Sequence, residues 1–184
     1  MFVSARNILI ALAATAILPA SANAASASAT AKANVLKPLQ MTGGGTVDFG
    51  TIVTPSAATF SGTFTIDAAA TQTSTFCASG FACSGTPAAA LFNLQGTSQN
   101  NITLNVPTSV TLTLQGATGT PPTLTFVTRN SVSATNSATG NYTITLPNSG
   151  FPGRNIYVGG SVTITEATVG GNYQGTFTVT ADYQ

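Results

Sequence analysis

Strict alternation of apolar and polar residues runs through this chain, and it limits the fold more than any other feature. Val110, Leu112 and Leu114 alternate with Thr111, Thr113 and Gln115, Tyr142, Ile144 and Leu146 with Thr143 and Thr145, and Val162 and Ile164 with Thr163 and Thr165. A period of two puts apolar side chains on one face and polar ones on the other, as in a half-buried strand. Clusters of Gly, Pro and Asn divide the runs at Gly43-Gly44-Gly45, Gly116 to Pro122, Pro147 to Gly153, Gly159-Gly160 and Gly170-Gly171-Asn172. Breakers at this spacing predict an all-β sandwich or barrel of about eight to ten short strands. The polar positions are mostly Thr, Ser, Asn and Gln; Thr is β-branched, so it suits a strand while turning a hydroxyl to water.

The first 24 residues follow a different pattern. Arg6 precedes an apolar run from Ile8 to Leu18, and Pro19 leads into Ala22-Asn23-Ala24. This reads as a secretory signal peptide cleaved between Ala24 and Ala25. The run is shorter than the roughly 20 residues that span a bilayer, and no second such stretch follows. Cleavage leaves 160 of the 184 residues, enough for one domain with a core. The predicted organisation is a signal peptide over 1–24, an N-terminal arm or first strand over 25–42, and a β-sandwich domain over 43–184.

Charge is nearly absent from that exported part. Lys32, Lys37, Arg129 and Arg154 balance Asp48, Asp67, Glu166 and Asp182. A neutral chain carries no electrostatic footprint for nucleic acid or an anionic membrane. Little like-charge repulsion keeps copies apart, which suits a protein that associates. A membrane β-barrel shares the alternation, but it calls for aromatic girdles and strands of about 10 residues. This chain has no Trp and four Tyr, so no membrane insertion is expected.

Both ends of the exported chain read as strands. Ala27, Ala29, Ala31, Ala33 and Val35 alternate with Ser28, Thr30, Lys32 and Asn34. At the other end Tyr173, Phe177, Val179, Ala181 and Tyr183 share one face, with Gln174, Thr176, Thr178, Thr180 and Asp182 on the other.

Few residues here suit chemistry. The absence of His removes the commonest general base, the commonest metal ligand and every Ser-His or Cys-His nucleophile. The four carboxylates are scattered, whereas glycosidase-type catalysis needs two facing across a cleft. No Asp-rich loop offers a calcium cage. Cys77 and Cys83, with five residues including Gly80 between them, read as a local structural disulfide in an oxidising compartment. The expectation is a non-enzyme without catalytic residues, cofactor or metal.

Four stretches carry a resemblance. They are Leu36-Lys37-Pro38-Leu39, Thr46-Val47-Asp48-Phe49-Gly50-Thr51-Ile52, Val158-Gly159-Gly160-Ser161-Val162-Thr163-Ile164, and Gly171-Asn172-Tyr173-Gln174-Gly175-Thr176-Phe177-Thr178-Val179-Thr180. With them the chain resembles a family of exported bacterial domains of unknown function. Its ending, closed by Asp182-Tyr183-Gln184, is also similar to spore-coat-protein-U-type domains and archaic chaperone-usher pilins. The resemblance implies an immunoglobulin-like, Greek-key sandwich that lacks one strand, whose groove takes the N-terminal arm of the next subunit by β-augmentation. It implies Ala27, Ala29, Ala31, Ala33 and Val35 as the donor strand. Tyr173, Phe177, Val179, Ala181 and Tyr183 would mark the edge strand that a chaperone recognises. The implied partners are other copies of the chain or related subunits, a periplasmic chaperone and an outer-membrane usher. The implied location is the periplasm in transit, then the cell surface or the extracellular space. The arm is richer in Ala than donor strands usually are, and residues 27 to 35 also fit the first strand of a complete domain or a free tail. The function expected is thus a structural subunit of a surface fibre or coat, with a self-contained secreted adhesin or carbohydrate-binding module as the alternative.

Overall fold

The computed structural model describes residues 25–72, 76–132, 139–147 and 153–184. The signal peptide expected over Met1 to Ala24 lies outside the described residues. Among the described residues twelve strands follow in chain order: β1 Gln40–Gly44, β2 Thr51–Val53, β3 Ser61–Ile66, β4 Ala82–Ser84, β5 Ala90–Gln95, β6 Asn101–Asn105, β7 Ser109–Leu114, β8 Thr123–Asn130, β9 Asn141–Thr145, β10 Arg154–Thr165, β11 Tyr173–Gln174 and β12 Thr180–Tyr183. No helix occurs among the described residues.

The chain divides into two units, the second being Val35–Gln184. In the first, residues 25–34 form no strand and are exposed throughout. The strand reading of residues 27 to 35 is therefore corrected: regular structure begins at Gln40. Alternation was present there, but its apolar positions are four Ala and one Val, which bury too little area to hold a strand on a sheet by themselves.

In the second unit all pairings are antiparallel. The large sheet has the order β1-β5-β10-β8-β7-β11, with β3 paired to β10 off that path; a three-stranded sheet runs β12-β6-β9, and β2 pairs with β4. This is a sandwich-like, all-β arrangement. Twelve strands exceed the expected eight to ten because β2, β4 and β11 span only two or three residues, too few for a period of two to register.

Alternation sorts the side chains as expected. In β3 Phe64 and Ile66 are buried beneath exposed Ser61 and Thr63, and in β9 Tyr142 and Ile144 are buried while Asn141, Thr143 and Thr145 face solvent. The inward residues form two clusters. One joins Leu94, Ile156 and Val158 of the large sheet to Ile102, Leu104, Tyr142 and Ile144 of the three-stranded sheet. The other contains Phe64, Val110, Phe126, Val162 and Ile164, with Val47, Phe49, Ile52, Phe60 and Phe81 packed against it. Phe177 touches both.

Gly159-Gly160, expected as a break, lies inside the twelve-residue β10. There the strand changes neighbour, from Val158 opposite Ala90 of β5 to Gly160 opposite Ile66 of β3. A Cβ on Gly159 would fall 2.3 Å from the Ile66 carbonyl oxygen, and one on Gly160, whose φ is +153°, would fall 2.2 Å from that of Val127. These glycines admit a close backbone approach inside a sheet, the other common use of strand Gly.

Candidate binding groove

The two clusters are covered unequally. The three-stranded sheet lies over the first, whereas the second opens into a groove of about 1330 Å³ floored by Val110, Leu112, Phe126, Val162 and Ile164. That exceeds the roughly 300–1,000 Å³ of small-molecule pockets. Among the described residues Asp48 supplies its one charged side chain, so it suits an uncharged, extended occupant.

One wall runs from Gly44 to Ile52. Asp48 exchanges two backbone hydrogen bonds with Ala88, at 2.9 and 3.0 Å, and its Oδ1 accepts the Gly50 N–H at 2.8 Å. This is an Asx turn, in which a short carboxylate side chain satisfies a backbone donor two residues on. Phe49 then meets Phe126 edge to face, with ring centroids 5.9 Å apart. The wall is thus tied outward to Ala88 and β4 and inward to the floor.

The other wall runs from Thr168 to Phe177 and leads into the last strand. The candidate edge strand does not form one continuous ladder. Tyr173 and Gln174 pair with Leu114 and Thr113 of β7, and Thr180 to Tyr183 pair with Asn105 to Ile102 of β6. Gly175 to Val179 cross from one sheet to the other and make no backbone–backbone hydrogen bond among the described residues. Alternation nevertheless persists through the crossing: Phe177 is half-buried and Val179 is 7 % exposed, while Thr176 and Thr178 face solvent. Packing of Phe177 near Phe92 and Phe126, at centroid distances of 6.5 and 6.3 Å, holds the segment in place. The segment is thus an edge without backbone partners, and open backbone groups beside an apolar floor are what an added strand pairs with.

Of the candidate donor residues, Ala27, Ala29, Ala31 and Ala33 are exposed in the N-terminal unit, and Val35, at the start of the folded unit, is 84 % exposed. Ala181 and Tyr183 sit in β12 beside the first cluster, away from the groove lining. Cys77 and Cys83 form a disulfide with Cα atoms 5.8 Å apart, and both pack against the second cluster. The carboxylates stay dispersed. Asp67 follows Ile66 and Glu166 follows Thr165, at opposite ends of the β3–β10 ladder. No three residues among Cys, Asp and Glu gather as a metal site among the described residues. Nor is any helix among them long and apolar enough to cross a membrane.

The floor was missed as a site. Val110, Leu112, Val162 and Ile164 were legible as inward residues of strands, but a strand pattern does not say whether a facing sheet covers it. No curated protein and no solved structure matched the chain. The family model for a domain of unknown function, DUF4402, matches residues 39–183, nearly the whole folded unit, and the chain belongs to that family.

Proposed function

We propose that this protein is a structural subunit of a bacterial surface fibre or coat, and that copies join when the N-terminal arm of one lies as an added strand in the groove of another. The observation that carries the reading is the run Gly175 to Val179, whose backbone has no backbone partner among the described residues while its Phe177 faces an apolar floor. Such an edge takes an extended segment, with backbone hydrogen bonds giving affinity and alternate side chains giving fit. The arm is a suitable occupant: exposed, without regular structure, and alternating in polarity. Four methyl groups and one isopropyl group contribute modestly, at about 0.8 kcal/mol per buried methylene. Affinity therefore rests mainly on the backbone. In this reading export passes through the periplasm, where a chaperone covers the groove before an usher places the subunit.

Deleting Ala25 to Val35 tests it. Surface extracts run unheated on a denaturing gel should give a ladder for the unaltered protein, because strand-exchanged polymers dissociate slowly, and a single band for the deletion. A single band for both would reject the fibre in favour of a solitary secreted binding module.

A further inference from the structure

The face of the large sheet turned away from the two clusters carries a second recess. Ile156 and Val158 of β10 are buried in the first cluster, so Tyr157 and Asn155 share the outer face, where they stand opposite Leu91 and Asn93 of β5. Tyr157 borders a cavity of about 620 Å³ whose other lining comes from residues 69–72 and 86–89. Both loops are tied down. Gln72 Oε1 accepts the Asp67 N–H at 2.7 Å and its Nε2 donates to the Asp67 carbonyl at 3.0 Å, while Ala88 is held by its paired backbone hydrogen bonds to Asp48. An amide ladder continues along the same face: Gln95 Nε2 donates to Asn93 Oδ1 at 2.9 Å, and Asn93 Nδ2 to Asn155 Oδ1 at 2.7 Å. The ladder ends on the Asn155 Nδ2 group. Neither that group nor the Tyr157 hydroxyl has a hydrogen-bond partner among the described residues.

We propose that this recess binds a neutral saccharide. An uncharged sugar is amphiphilic: its ring C–H groups pack on an aromatic face, and its hydroxyls both donate and accept. Tyr157 offers a half-buried ring with a polar end, the mixed character that suits such a ligand. Asn155 adds amide donors two residues along the strand, roughly 6.6 Å away at about 3.3 Å per residue, a spacing that one sugar ring can bridge. The volume falls within the roughly 300–1,000 Å³ of small-molecule pockets, unlike that of the groove. Charge decides the class of ligand. Among the described residues the cavity is lined by Ala, Thr, Gln, Pro and Tyr, with nothing to pair with a phosphate, a carboxylate or an amine. Arg154 donates to the Thr145 carbonyl at 3.1 Å, and Arg129, opposite Gly159 on β8, lies outside the lining. A polypeptide strand fits less well, because β10 pairs with β5 on one side and the Tyr157 N–H and carbonyl are engaged by Ser131 on the other. The site is separate from the groove and does not depend on whether copies join.

Saturation-transfer NMR on the purified protein tests it, with maltotriose, cellotriose, mannotriose and triacetylchitotriose as probes and trigalacturonate as the charged comparator. At least one neutral trisaccharide should show transfer, and trigalacturonate at the same concentration should not. Titration of the bound sugar should give a Kd raised more than tenfold by Tyr157→Ala and about fivefold by Asn155→Ala, the equivalent of one net hydrogen bond. Tyr157→Phe keeps the ring and should weaken binding less than Tyr157→Ala. Asn155 is exposed, so its variant reports on binding even if Tyr157→Ala fails to fold. Arg129→Gln should leave the Kd unchanged. Absence of transfer from every neutral sugar would overturn the proposal. So would binding that is unaltered by both Asn155→Ala and Tyr157→Phe, or a preference for trigalacturonate.

Discussion

Phe81 stands edge-on to Phe64, with ring centroids 5.0 Å apart and planes at 85°. Phe81 lies inside the loop closed by Cys77 and Cys83, and it also meets Phe60 edge to face at 5.7 Å. The disulfide thus holds an aromatic stopper against the fully buried Phe64. Replacing both cysteines by Ser should destabilise the fold by about 2 kcal/mol, the chain-entropy value for so small a ring. Urea unfolding measures it. An unchanged midpoint would mean that Phe81 stays seated without the bond.

Neighbouring residues of β7 should respond in opposite ways to the same change. Leu112 lines the groove floor, whereas Thr111 is exposed on the other face of the strand. Leu112→Asp puts a charge where the incoming strand of the proposed assembly would seat and should abolish the gel ladder. Thr111→Asp should leave the ladder intact and change stability by no more than about 0.5 kcal/mol, as surface substitutions usually do. Equal effects from both would argue against the groove as the joining surface.

Salt should matter little to assembly. Among the described residues the groove has Asp48 as its one charged lining residue, and the arm from Ala25 to Val35 has Lys32 as its one charged side chain. Screening acts on charges, and above about 0.1 M salt a single exposed pair is already largely screened. Light scattering should therefore give growth rates within about twofold between roughly 0.1 and 0.5 M sodium chloride. A steep decline would point to charged surfaces outside the groove.

Gly160→Ala should be among the most damaging small changes in the chain. The added methyl would meet the Val127 carbonyl oxygen and the Phe126 ring at a backbone angle that L residues rarely adopt. The loss of stability should exceed about 1 kcal/mol, the size of the gain that a glycine replacement brings where the backbone tolerates it, and is read as a lowered thermal midpoint. Gly170→Ala makes the control, since a Cβ there meets nothing within 4 Å.

Much of this architecture was legible in the residue pattern. Alternation at Val110 to Gln115 and at Tyr142 to Leu146 marked β7 and β9 and their buried faces, because side-chain direction in a strand follows from local geometry alone. Cys77 and Cys83 were readable as a bond because the loop between them is short. Where the pattern misled, the deciding forces were nonlocal. Gly159-Gly160 continues a strand instead of ending one because Ile66 and Val127 approach it from other parts of the chain. Residues 27 to 35 alternate as a strand does, yet have too little apolar area to dock by themselves. The hydrogen bonds among Tyr183, Lys37 and Thr97 join residues up to 146 positions apart, and only the folded register brings them together.

One further consequence belongs to β10. Its first half lends Ile156 and Val158 to one apolar cluster and its second half lends Val162 and Ile164 to the other, along a single unbroken run of backbone. Neither half of the interior has a private backbone, so loosening one should loosen the other. Amide exchange deep in both halves should accordingly report a common opening free energy, the behaviour of a single cooperative unit. Under tension along the proposed fibre, this would leave no weaker half to yield first.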